Sequence, residues 1–374
     1  MRYRRFGKTN LFLSVFSLGT MRYLASEENA VETVRQAVAA GVNHLETAQG
    51  YGNSDRYLGT ALKTGLKRDR LYITTKIPPM PDSETMERCI DESLDRLNID
   101  YLDGLAIHGI NTEQHLDWVL ASDGCMQGVQ RAIADRRVRH LGFSTHGSLD
   151  TILAAIDSDL FEFVNLHYYL FFQRNAPAIA RASEKDLGIF IISPADKGGQ
   201  LYTPPEVLQQ LCHPFSPLEL NYRFLLDDRR ITTLSIGAAN PSQLHLPLSF
   251  ADRDDYLTPG ETDALKRLET HAKNLLGDDR CSQCYACLPC PAQINIPEVL
   301  RLRNLAIAYD MTEFGQYRYR MFENAGHWFP GRKGDRCTDC GDCLPRCPEQ
   351  LNIPTLLRDT HQRLNGSPRR RLWE

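Results

Sequence analysis

Residues 44–52 read His-Leu-Glu-Thr-Ala-Gln-Gly-Tyr-Gly. A short apolar run ends in a carboxylate, Glu46, and five residues later Tyr51 stands between two glycines. The run reads as a strand over Asn43–Thr47, and the residues beyond it as a loop that presents a phenol. Two later strands finish on the groups such a phenol needs: Lys76 closes Leu71–Lys76, and His108 closes Leu105–His108. Tyrosine titrates near pH 10, and an adjacent ammonium favours the phenolate. Lys76 is therefore expected to lower the pKa of Tyr51 and make it a usable proton donor near neutral pH. The bland alternative is that these are unrelated polar residues at strand ends.

On either side of this stretch, strands and helices alternate. Residues 1–14 carry Gly7, Thr9 and Asn10 between apolar runs and read as a hairpin. Val15–Leu18 is a strand ending at Gly19-Thr20, and residues 26–40 follow as a helix with Ser26 as its cap. Helices at Ser54–Thr64 and Ser83–Leu97 flank the strand Leu71–Lys76; in the second, Met86, Cys89, Ile90, Leu94 and Leu97 share a face. Leu102–His108, Val138–Ser144, Phe161–His167, Gly188–Ser193 and Ile231–Ile236 continue the strands. Helices are expected at 125–136, Leu149–Ala155, 175–186, 217–226 and 259–276. Such even alternation over roughly the first 275 residues fits a (β/α)8 TIM barrel. A doubly wound open sheet competes less well, because no G-x-G-x-x-G fingerprint follows the first strand. In a barrel the active groups lie at the C-terminal strand ends, where Glu46, Tyr51, Lys76 and His108 fall.

Eleven cysteines are the unusual feature of the composition. Cys89, Cys125 and Cys212 are scattered, whereas eight fall into two tight groups. Residues 281–291 read Cys-Ser-Gln-Cys-Tyr-Ala-Cys-Leu-Pro-Cys-Pro, and residues 337–348 read Cys-Thr-Asp-Cys-Gly-Asp-Cys-Leu-Pro-Arg-Cys-Pro. Three thiolates spaced two residues apart wrap one face of an iron–sulfur cube, and the fourth, before proline, ligates the other cluster in two-cluster ferredoxins. Cys281, Cys284, Cys287 and Cys347 are accordingly expected to hold one [4Fe–4S] cluster. Cys337, Cys340, Cys343 and Cys290 are expected to hold the second. Zinc on paired C-x-x-C units is the competing reading. The groups also form a repeat: Cys290-Pro-Ala-Gln-Ile-Asn-Ile-Pro297 is echoed by Cys347-Pro-Glu-Gln-Leu-Asn-Ile-Pro354. Between them 298–324 reads as helical, so the module is expected to be a mostly helical ferredoxin-like domain over residues 276–374, behind a barrel at 1–275.

With these motifs together the chain resembles the aldo-keto reductases. The opening Met-Arg-Tyr-Arg-Arg-Phe-Gly-Lys-Thr carries the likeness, with Ser17-Leu18-Gly19-Thr20-Met21, Tyr51-Gly52, Thr75-Lys76, Ile107-His108 and Gly142-Phe143-Ser144. The resemblance implies carbonyl reduction with NADP(H): Tyr51 as proton donor, Lys76 as its partner, His108 orienting the carbonyl, and Glu46 where the family has aspartate. It further implies nucleotide contacts at Gly19, Thr20, Met21, Ser144, Thr145, Asn165, Ser193, Pro194, Gly199, Gly237 and Gln243. Ile192 stands where the family stacks an aromatic on the nicotinamide. No lysine or arginine occurs from Ile231 to Phe250 to grip a 2′-phosphate. With its cysteine module, the whole chain resembles the branch of the family that carries a ferredoxin-type domain.

Composition excludes other classes. At 42% hydrophobic and 24% charged, with a formal net charge of −4, the chain gives no reason to expect nucleic acid as a partner. No apolar run has membrane length, and the first residues lack the apolar core of a signal peptide. That points to the cytosol, where clustered cysteines mean metal rather than disulfides. The expected function is an oxidoreductase acting on a small carbonyl substrate, with the clusters passing electrons to a redox partner protein. The alternative is an electron-transfer or redox-sensing protein whose barrel binds nucleotide weakly or not at all.

Overall fold

The structure, a computed structural model, describes residues 1–195 and 200–366. Gly199, one of the expected nucleotide contacts, lies outside the described residues. The chain divides into two compact units, Met1–Lys197 with Tyr222–Tyr256, and Gly198–Asn221 with Leu257–Glu374. This division differs from the boundary at 275/276 expected from the sequence.

The first unit opens with the antiparallel hairpin β1 (Tyr3–Arg5) and β2 (Phe12–Ser14). Its turn uses Gly7 at φ 51°. A Cβ there would fall 2.2 Å from the Gly188 backbone nitrogen, so only glycine fits. Eight parallel strands then close into a barrel: β3 (Phe16–Gly19), β4 (His44–Glu46), β5 (Tyr72–Ile77), β6 (Leu102–His108), β7 (Val138–Thr145), β8 (Phe163–His167), β9 (Gly188–Ile192) and β10 (Thr233–Ile236). β10 pairs with both β9 and β3, which removes every open edge. The strands are buried along almost their whole length because both faces are covered, one by the barrel interior and one by helices.

The helices follow from local chemistry. Ser26, Asp82, Thr112 and Ser148 each accept a backbone N–H at a helix start. The helix Ser83–Leu97 buries Met86, Ile90 and Leu94 on one stripe and ends at Asn98 in the left-handed region. A short helix Glu113–Leu120 precedes Cys125–Ala134 and was not expected from the sequence.

Inside the barrel, Phe6, Leu13, Ala106, Phe163 and Phe190 form one apolar cluster. Phe163 fits because β6 and β7 carry glycines beside it: a Cβ on Gly142 would lie 2.4 Å from its ring. A polar set shares the interior. Ser17 Oγ lies 2.6 Å from His44 Nδ1 and 2.7 Å from Thr233 Oγ1, and His44 Nε2 lies 2.8 Å from Thr74 Oγ1. Each ring nitrogen of His44 thus has a hydroxyl partner, which a buried imidazole requires.

The second unit is helical. Glu206–Cys212 is a further helix, beginning directly after Pro204 and Pro205 and outside the helices expected from the sequence. Pro259–Leu276 starts with a full capping box formed by Thr258 and Glu261. The helices Ile296–Tyr309 and Thr312–Tyr319 replace the single expected helix, because Asp310 turns left-handed at φ 56°. Ile353–Leu364 closes the described chain. Asn304 donates to the Cys281 carbonyl at 2.9 Å, and Tyr309 donates to the Leu268 carbonyl at 3.0 Å, so Ile296–Tyr309 anchors both a cysteine run and the preceding helix. No helix among the described residues is long and apolar enough to cross a membrane.

Candidate active site and cysteine cavities

Glu46 ends β4, Lys76 lies one residue before the end of β5, and His108 ends β6. Tyr51 sits in the loop between β4 and the helix Ser54–Leu62. All four are brought together at the C-terminal mouth of the barrel. Lys76, 1% exposed, contacts the Glu46 carboxylate and donates to the Thr47 carbonyl at 2.8 Å. Its ammonium lies 4.9 Å from the centre of the Tyr51 ring, and the Tyr51 and His108 rings meet edge to face at 5.8 Å. Glutamate in place of aspartate does not separate the carboxylate from Lys76. Ser235 on β10, which the sequence reading did not single out, donates to the other Glu46 oxygen at 2.7 Å. The approach depends on Gly19, where a Cβ would lie 2.3 Å from Ser235 Oγ and 2.7 Å from Glu46 Oε1. A hydroxyl one residue before the end of the last strand, on a strand that barrel closure brings within one strand of β4, was the available signal.

The electrostatics correct one expectation. Burial pushes the Tyr51 phenol above its ordinary value, and the Glu46 charge adds to this. The Lys76 charge and its hydrogen bond pull down but do not prevail. For Lys76 itself, burial works against the charged form, but Glu46 and Tyr51, through charge and hydrogen bonds together, outweigh it and the ammonium is held above its usual range. The site therefore rests with a neutral phenol and a charged lysine.

The expected nucleotide positions differ in kind. Asn165 on β8 is fully buried, and neither its amide oxygen nor its amide nitrogen has a hydrogen-bond partner. An orphaned buried amide costs stability unless a ligand completes it. It pairs in register with Ser144, and Ser144 with His108, so the three form one level of the barrel mouth. Ser144 Oγ accepts from Gly109 N at 3.1 Å. Thr145 is used internally, donating to the Ile110 carbonyl at 2.7 Å and accepting from Gly147 N at 2.9 Å. The Thr20 hydroxyl meets that of Ser54, and Met21 follows it half-buried. Ser193 takes φ 50°, turning the chain after β9 into Pro194. Gln243 accepts from Ala239 N at 3.0 Å, and the Gly237 carbonyl accepts from Arg22 at 2.8 Å. Arg22 thus supplies a cation beside a turn whose own sequence has none.

In the second unit the eight clustered cysteines line two small cavities. One is bordered by Cys281, Cys284, Cys287 and Cys347, the other by Cys290, Cys337, Cys340 and Cys343. These are the two expected sets, each drawing three thiols from one run and one from the other. Burial, with neighbouring sulfurs adding, pushes Cys281 up to about 11 and Cys287 up to about 12. Among the described residues no three His, Cys, Asp or Glu side chains converge on a single ion position. A zinc ion would need its sulfurs about 2.3 Å from one point. The thiols surround a volume instead, and that donor set fits a cube of iron and sulfide. Cys89 is half-buried on its helix, and Cys125 and Cys212 are buried.

The model of the aldo/keto reductase family matches residues 16–202, half of the chain's length. The chain belongs to the aldo/keto reductase family. A 4Fe-4S dicluster domain matches residues 280–351, so this family member carries an iron–sulfur module C-terminal in sequence to the matched reductase region. An L-galactose dehydrogenase of Arabidopsis thaliana is 30% identical over 154 residues, covering 38% of this chain and 47% of that one. An uncharacterized oxidoreductase of Bacillus subtilis is 20% identical over 310 residues, covering 73% and 97%. The chain spans about half the length of the curated relatives it matches first. Among solved structures, an aldo-keto reductase from Bacillus halodurans superposes with a TM-score of 0.63 at 20% identity, covering 71% of this chain and 96% of that one. That likeness shows the shared barrel fold.

Proposed function

We propose that the barrel reduces small aldehydes or ketones with NAD(P)H, and that the second unit holds two [4Fe–4S] clusters on the cysteine sets named above. The observation that carries the reading is the buried Lys76 ammonium, packed against the Glu46 carboxylate and beneath the Tyr51 ring. When bound, the nicotinamide supplies the hydride. The chain supplies the rest. The orphaned Asn165 amide matches the carboxamide of such a ring in both donor and acceptor. His108, edge-on to Tyr51, orients the substrate carbonyl towards the phenol. Tyr51 gives its proton to the carbonyl oxygen, and its raised pKa keeps that proton in place through neutral pH. Lys76 then stabilises the phenolate left behind, while Glu46, held by Ser235, fixes the lysine. A reducing cytosol suits the thiol-rich module, and a redox partner protein would exchange electrons with the clusters.

One observation favours a second reading, an electron-transfer or redox-sensing protein whose barrel binds nucleotide poorly: residues 231–250 contain no lysine or arginine. Two measurements on anaerobically purified protein separate them. Tyr51→Phe is expected to lower kcat/KM for aldehyde reduction by about 10²–10⁴-fold with NADPH affinity and cluster absorbance unchanged. Full turnover by that variant, or no binding of NADPH or NADH at millimolar concentration, would sink the reductase.

A further inference from the structure

The two cysteine cavities differ in the charges that border them. Arg346 lines the second cavity and is held there at two points, donating from Nε to the Asp342 carbonyl at 2.8 Å and from Nη2 to the Pro289 carbonyl at 2.9 Å. Pro289 precedes Cys290, and Asp342 precedes Cys343, so the half-buried guanidinium spans two of that cavity's ligand positions. The other charges near this cavity largely cancel or face water. Asp339 is paired with Arg358 at 2.7 Å, and Asp342, which also lines the cavity, is exposed and stands against the Arg346 charge. The first cavity is bordered by the Glu349 carboxylate, exposed as Asp342 is, but with no basic side chain among its lining residues to offset it. One backbone donor, Gln283 N, lies 3.4 Å from Cys281 Sγ. A single hydrogen bond from a neutral amide to sulfur offsets only part of a full negative charge.

Reduction adds an electron to a cluster, so nearby positive charge favours the reduced state and nearby negative charge opposes it. Resting on the ligand assignment above, we propose that Arg346 and Glu349 set the two clusters apart in potential, the cluster on Cys290, Cys337, Cys340 and Cys343 being the easier to reduce. The pair of charges gives an otherwise repeated module a polarity: an electron delivered to either cluster settles on the Arg346 side. Arg346 also ties the two cysteine runs together through the Pro289 carbonyl, and a purely mechanical role would leave the potentials alone.

The test is an anaerobic dithionite titration of the full-length, fully loaded protein followed by electron paramagnetic resonance. Two reduction waves are expected. Arg346→Gln moves the higher wave to more negative potential, Glu349→Gln moves the lower wave to more positive potential, and Arg346→Lys, which keeps the charge, leaves the higher wave in place. Iron and acid-labile sulfide analysis of the wild type checks the ligand assignment separately, since a deficit there would overturn that assignment and this proposal with it, whereas unmoved waves in loaded variants would overturn this proposal alone. Should Arg346→Gln not retain its iron, Glu349→Gln decides alone. Waves that stay where they were in a fully loaded variant, or a shift in Arg346→Lys equal to that in Arg346→Gln, would overturn the proposal.

Discussion

His44 shows at the scale of one residue how the barrel interior constrains chemistry near the site. It lies on β4, two residues before Glu46, fully enclosed between Ser17 and Thr74. Burial, with the Lys76 charge adding, depresses its pKa from 6.5 to about 3. Between those values the unfolded chain binds a proton that the native chain refuses. The contribution of His44 is therefore fully present above pH 6.5 and drains away as pH falls towards 3. His44→Asn should flatten this acid slope. Urea unfolding of wild type and variant between pH 7.5 and 5.5 should diverge by up to about 1.4 kcal/mol per pH unit, the worth of one proton. Parallel slopes would mean that the imidazole is not the group responsible. Nothing in the sequence marked His44 as an interior residue, because a histidine in an apolar run carries no sign of which hydroxyls will surround it.

Among the elements, the strands were the most legible. Leu141-Gly142-Phe143 and Leu105-Ala106-Ile107 are short apolar cores ending in polar groups, as strands covered on both faces of a closed parallel barrel tend to look. The same regularity puts Glu46, Lys76 and His108 at or next to strand ends, and Tyr51 in the loop after one of them, at one mouth of the barrel. The balance of forces on Tyr51 was not legible, since it depends on how deeply the phenol is enclosed. The helices Glu113–Leu120 and Glu206–Cys212 escaped notice because each is short, and the second begins directly after two prolines. The barrel's interior spacing makes its own prediction. Gly142 on β7 leaves room for the Phe163 ring, so Gly142→Ala should destabilise the barrel by about 1–3 kcal/mol through overpacking. A lower melting temperature, partly restored by Phe163→Leu in the double variant, would confirm the clash; an unchanged melting temperature would refute it.

For the whole molecule, the division into units was the least readable level. The helix Pro259–Leu276 has an apolar stripe like any barrel helix, and a stripe does not say which layer it will cover. It belongs with the cysteine-bearing unit, as does the segment Gly198–Asn221. The cysteines, by contrast, were legible down to their grouping, because ligand spacing and a repeated Cys-Pro encode which sulfur leaves its own run. Each cavity takes its fourth thiol from the run that serves the other cavity. Occupying either one would pin Cys290 or Cys347 and so preset part of its neighbour, which makes filling an all-or-none affair. At half-saturating iron and sulfide, native mass spectrometry should find empty and doubly loaded chains with few singly loaded ones. A statistical mixture would show that the two vessels fill independently, despite sharing a seam.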